Sequence, residues 1–164
     1  MQKNRRSVLF LAQAAVIAAL YAGLSYVTPE FLKFGNVQFR VSEALTLLPV
    51  LTPAAIPGLT IGCVLTNLSS PDLGVLDIAF GSLATLLAAL CTYWLRKITV
   101  KGWPVLAAIP PVLFNAVIIS AMLWHVLRFP FWLSAGQIAL SQFVICFGLG
   151  LPLVALLKKT PIIP

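Results

Sequence analysis

The stretch Ala44-Leu45-Thr46-Leu47-Leu48-Pro49-Val50-Leu51-Thr52-Pro53-Ala54-Ala55-Ile56-Pro57-Gly58 opens a charge-free run from 44 to 71, and its reading decides the fold. The run is long enough for one membrane crossing, since a hydrocarbon core about 30 Å thick takes about 20 residues of helix. Three prolines interrupt it, however, and each lacks the amide hydrogen that a continuous helix uses. Thr52-Pro53 reads as a tight turn. The run is therefore predicted to form two short helices that pass through the membrane and return.

The rest of the chain fits that reading. Of its 164 residues 60% are hydrophobic and 9% charged, where a soluble domain carries roughly 25% charged residues. That excludes a water-soluble globular domain. Four further charge-free runs, 7–29, 78–95, 102–127 and 129–157, are each transmembrane candidates. The basic residues cluster beside these runs, as Lys3/Arg5/Arg6, Arg96/Lys97/Lys101 and Lys158/Lys159. Basic loops stay cytoplasmic, so even numbers of crossings must separate the clusters. Reading 44–71 as a pair satisfies this and leaves only Lys33, Arg40 and Arg128 outside. The expected fold is all-α: a polytopic membrane protein, one domain over 1–164, with six transmembrane helices and both termini cytoplasmic. The expected spans are 7–28, 38–51, 54–70, 73–95, 103–125 and 131–157. Helices two and three are short for a crossing, so their polar ends must sit at membrane depth.

The formal charge of +7 is accounted for by orientation, and no interleaved Arg and aromatic patch suggests nucleic acid. Lys3, Arg5 and Arg6 before an apolar stretch imitate a signal peptide, but cleavage after Ala12-Gln13-Ala14 would leave an apolar core of only about seven residues. An uncleaved first helix is expected. Cys63, Cys91 and Cys146 lie in apolar runs, where cysteine acts as a small hydrophobe. No disulfide, metal or redox site is expected. Loops for ATP, zinc helices and nucleophile elbows are missing from the sequence, so the chain is expected not to be an enzyme. Uphill movement of a solute would then draw on another subunit or an ion gradient.

All four acidic residues, Glu30, Glu43, Asp72 and Asp77, fall on the outward side of this topology. Carboxylates at membrane depth are costly and usually face a cavity or a partner. With Arg40 and Asn67 they outline a polar pocket at the outer ends of helices two to four. The competing reading is local: an Arg40–Glu43 pair one turn apart, and Asp77 at a helix N-terminus. Asn115, Gln137, Ser141 and Gln142 are further intramembrane polar groups that either bind a ligand or hold helices together. His125 beside Trp124 reads as an interfacial anchor. Helix one carries two small-residue stripes, Ala14/Ala18/Ala22 and Ala15/Ala19/Gly23, which allow close helix approach inside the chain or to a partner.

Phe39-Arg40-Val41-Ser42-Glu43-Ala44-Leu45-Thr46-Leu47-Leu48-Pro49 and Thr52-Pro53-Ala54-Ala55-Ile56-Pro57-Gly58-Leu59 closely resemble the QueT family. The likeness continues through Gly62-Cys63, Asn67 and Leu76-Asp77-Ile78-Ala79-Phe80-Gly81 to Ala89, and is weaker in helices five and six. The resemblance implies the substrate-binding S component of an energy-coupling factor (ECF) transporter, an ABC importer of the bacterial cell membrane that takes up a queuosine precursor. It implies a transmembrane scaffold subunit and two cytoplasmic ATPases as partners. ATP is used by those ATPases, and no cofactor is held on this chain. An Ala-x-x-x-Ala surface on helix one would meet the scaffold, matched by Ala14/Ala18 or Ala15/Ala19, and the loop from Pro29 to Gln38 would cover an extracellular site. A deazaguanine edge offers paired N–H donors and a carbonyl acceptor. Glu43 and Asp77 are the candidate carboxylates, with Arg40, Asn67, Asn115 and Gln137 as candidate donors and Phe39, Phe80 and Trp124 as stacking surfaces. The alternatives are an S component for another vitamin and a stand-alone proton-coupled carrier.

Overall fold

The computed structural model describes residues 2–29, 39–69 and 74–160. Six helical elements run through these segments: α1 Gln2–Val27, α2 Val41–Val50, α3 Ala55–Asn67, and then α4 Asp77–Leu95, α5 Leu106–Leu127 and α6 Phe131–Leu157. The helix start expected at residue 73 and most of the expected 29–38 lid, along with Glu30 and Asp72, lie outside the described residues. Four elements are long and apolar enough to cross a membrane: α1, α4, α5 and α6. Outward-facing leucine, valine and tryptophan side chains, among them Leu11, Trp132 and Leu140, remain exposed along them, as a lipid-facing surface requires. The chain is a multi-pass membrane protein.

The proline-broken run does form two helices, but shorter ones than the expected 38–51 and 54–70. The chain turns at Thr52-Pro53, where the Thr52 hydroxyl donates to Gln13 Oε1 (3.1 Å) and accepts the Ala54 amide (3.3 Å). That side chain thereby closes a hydroxyl turn just before α3 and ties it to α1. α2 is a 3₁₀ helix over all 10 of its residues, an uncommon length because the hydrogen-bond geometry is poorer than in an α-helix. Two local features favour it. Pro49 supplies no amide, and the Thr46 hydroxyl donates to the Glu43 carbonyl at 2.6 Å, competing with main-chain donors. The tighter winding also stretches α2 to about 20 Å, against about 15 Å for the same residues in α-helix. That is still short of a hydrocarbon core of about 30 Å.

Every residue of α2 from Ser42 to Val50 is buried, so it is the axis around which the other helices pack. Leu45 and Leu48 join Ile17, Tyr21, Leu59 and Ala89 in one apolar cluster, while Leu47 and Val50 join Ala107, Leu151 and Val154 in another. α1 lies tightly along α3. A Cβ on Gly58 would stand 2.7 Å from the Ala14 carbonyl oxygen, and one on Gly62 would stand 2.8 Å from Tyr21 Cβ. The Ala14/Ala18/Ala22 stripe is buried in this contact, and Ala15, Ala19 and Gly23 face outward. One cleft joins Leu9 to Leu157 and another joins Gly102 and Trp103 to Lys158 and Lys159. The basic clusters that flank these residues in sequence are thus gathered at one end of the bundle.

Candidate functional site

The polar residues of α1 to α4 form a buried network. From α1, Tyr21 is fully buried and its hydroxyl donates to Glu43 Oε1 at 2.6 Å. One turn further on, Ser25 donates to Ser42 Oγ at 2.6 Å. The other carboxylate oxygen, Glu43 Oε2, is buried and makes no hydrogen bond among the described residues. A buried acceptor left unmet costs about 1–3 kcal/mol, and more when charged.

Asn67, at the end of α3, bridges the remaining groups. Its Oδ1 accepts Arg40 Nη1 at 3.1 Å, and its Nδ2 donates to the Asp77 carbonyl at 2.7 Å. The two bonds fix the amide's orientation, since Arg40 only donates and a carbonyl only accepts. The Asp77 carbonyl is placed for this by a π-helical turn, Asp77–Gly81, that opens α4; such turns locally release the α-helical hydrogen-bond pattern. Gly81 makes the approach possible, because a Cβ there would stand 2.4 Å from Asn67 Nδ2. Arg40 lies within electrostatic reach of both Glu43 and Asp77, and all three are buried. The network therefore collects a guanidinium, two carboxylates and an amide in one interior, with an acceptor to spare.

Of the candidate residues, Arg40, Glu43, Asn67 and Asp77 are brought together here. Asn115 is buried in α5 but donates to the Pro111 carbonyl of its own helix at 3.0 Å, and Gln137 is half-buried on α6. No hydrogen bond among the described residues joins either to the network. The aromatic candidates line lateral clefts: Phe39 one of about 200 Å³ with Leu24, Thr28 and Val41, and Phe80 and Trp124 one of about 400 Å³ with Met122 and His125. Trp124 is 51% exposed, the setting of an interfacial anchor rather than of a stacking wall deep in the site.

Tyr21, Ser25 and Ser42 were not legible as site residues. Tyr21 stands 22 positions from Glu43, and no local spacing links the two. A usable signal existed in Gly58-Leu59-Thr60-Ile61-Gly62, a small-xxx-small pattern on α3 that calls for a matching face. The Ala14/Ala18/Ala22 stripe of α1 is that face, and it carries Tyr21 inward. Ala14 and Ala18, expected at a partner surface, are instead spent on packing with α3.

Comparison with curated proteins and with solved structures finds no match. The family model described as QueT transporter matches residues 11–159. That match spans α2 to α6, the buried network and all but the first turns of α1, and the family it describes is one of transporters, not of enzymes. The chain belongs to the QueT transporter family.

Proposed function

We propose that this chain is the substrate-binding S component of an ECF-type ABC importer in a bacterial cell membrane. Its substrate is a queuosine precursor, 7-aminomethyl- or 7-cyano-7-deazaguanine, taken from the extracellular side. A transmembrane scaffold subunit and two cytoplasmic ATPases drive the uptake. Six crossings with both termini cytoplasmic go with this reading, α2 and α3 forming a short pair whose polar ends lie at membrane depth. Membership of a transporter family supports a small-molecule cargo.

One observation supports the choice of site: Glu43 has one oxygen satisfied by Tyr21 and the other buried with no hydrogen-bond partner among the described residues. A guanine-like edge presents adjacent N–H donors that a carboxylate oxygen accepts, while Arg40, held in place by Asn67, supplies donors for a ring carbonyl. Asp77 is the second carboxylate, suited to a cationic aminomethyl arm. The outward-facing Ala15/Ala19 pair is the surface for the scaffold, since small side chains allow close helix approach.

Calorimetric titration of the purified chain with 7-aminomethyl- and 7-cyano-7-deazaguanine tests the reading. Saturable binding of one precursor is expected. Saturable binding of thiamine, biotin, riboflavin or folate instead would make the chain an S component for another vitamin. The same Glu43–Tyr21 pair supports a second reading, a proton site in a stand-alone carrier. Uptake into proteoliposomes by this chain alone, driven by a pH gradient, would favour the carrier and sink the S-component reading.

A further inference from the structure

A second site lies at the basic end of the bundle, away from the Glu43 network. Val100 and Trp103 exchange both backbone hydrogen bonds, at 2.9 and 3.0 Å. They enclose Lys101 and Gly102 as a two-residue turn with φ of 51° and 83°, the type that needs positive φ at both central positions. Asparagine or glycine usually fills the first of these, so Lys101 is held there against its preference. The turn sets Gly102 and Trp103 as one wall of a pocket of about 230 Å³. The opposite wall is the end of α6, with Val154, Ala155, Lys158 and Lys159, and Pro104 completes the lining.

This pocket combines two characters: the two basic residues Lys158 and Lys159, and an apolar lining of Trp103, Pro104, Val154 and Ala155. The nearby Arg96 is already engaged, stacked 3.5 Å over the Tyr93 ring and bonded to the Tyr93 carbonyl. No acidic residue occurs anywhere after Asp77 in the chain, so no carboxylate from α5 or α6 can neutralise the lysines. A soluble anion would use the cations and leave the apolar lining idle. Leu149 and Leu156 on α6 are exposed, which places lipid beside this helix.

We propose that the pocket binds an anionic phospholipid. Its phosphodiester sits between Lys158 and Lys159, and its glycerol and first chain carbons lie against Pro104, Val154 and Ala155. Basic pockets between helices at the membrane surface hold anionic headgroups, and tryptophan favours the depth at which headgroup and chain meet. The site would fasten the α4–α5 connection to the end of α6 through a lipid.

Native mass spectrometry of the delipidated full chain, offered phosphatidylglycerol and phosphatidylcholine with matched acyl chains, tests this. Wild-type protein should retain phosphatidylglycerol about tenfold more than phosphatidylcholine. Lys158→Gln with Lys159→Gln should abolish that preference, and Lys158→Arg with Lys159→Arg should preserve it. Arg5→Gln with Arg6→Gln, exposed basic residues of α1 outside the pocket lining, should leave it intact. Equal retention of the two lipids by wild type would overturn the site, as would equal loss in the Lys158/Lys159 and Arg5/Arg6 glutamine variants, which marks diffuse attraction. Displacement of phosphatidylglycerol by inorganic phosphate would identify a soluble-anion site, and displacement by polyglutamate an acidic protein partner; either result overturns the lipid assignment.

Discussion

Tyr21 and Asn67 hold the two halves of the buried network, and each can be tested one substitution at a time. Glu43→Gln keeps the side chain's shape but turns one acceptor into a donor facing the ligand's N–H. The expected loss is about 1.5–3 kcal/mol, or roughly 10- to 100-fold in affinity. Calorimetric titration beside the apo melting temperature checks it, and a lowered melting point with unchanged affinity would reduce Glu43 to a structural partner of Tyr21. Gly81→Ala is predicted to destabilise the protein by about 1–3 kcal/mol, because the new methyl would fall 2.4 Å from Asn67 Nδ2. Gly136→Ala is the control: nothing lies within 4 Å of a Cβ there, so it should not destabilise, and the gain in helix propensity should raise stability by up to about 1 kcal/mol, read by thermal unfolding.

At the scale of elements, α1 presents two faces built from the same kind of residue. Its inner face meets Gly58 and Gly62 of α3, and its outer face carries Ala15 and Ala19. Gly58→Ala would drive a methyl to 2.7 Å from a backbone oxygen, which no side-chain rotation can relieve. It should lower the melting temperature by an amount matching about 1–3 kcal/mol. Ala15→Trp with Ala19→Trp should leave melting and substrate titration unchanged while abolishing ATP-driven uptake, since the bulk blocks close approach of a partner helix. Normal co-purification of an energising module and normal uptake by that variant would assign the outer stripe to lipid contact. α2 differs from both, because it has no outer face to spend: with three residues per turn, its three rows all face other helices.

For the whole molecule, the basic clusters gathered at one end predict its orientation. Thr99, exposed in the connection between α4 and α5, reports on it. A Thr99→Cys variant should resist a membrane-impermeant maleimide applied to intact cells and react in inverted vesicles, with the unsubstituted chain as background for Cys91. Strong labelling from outside would refute a cytoplasmic 96–102 segment and with it the even count of crossings. The helical class, the turn at Thr52-Pro53, the clustering of the basic residues and the QueT membership were all legible in the sequence. They depend on apolar length, a missing amide, charge position and residue identity, which are properties of single segments. Arg40, Glu43, Asn67 and Asp77 were legible as candidates for the same reason, since a polar group in an apolar run stands out wherever the chain goes. Only the tertiary structure chose between the two alanine stripes, paired Tyr21 with Glu43 and set Asn67 between Arg40 and the Asp77 carbonyl. Those outcomes rest on which helix faces meet across long separations, and two stripes of equal composition carry no mark of which one a pair of distant glycines will admit.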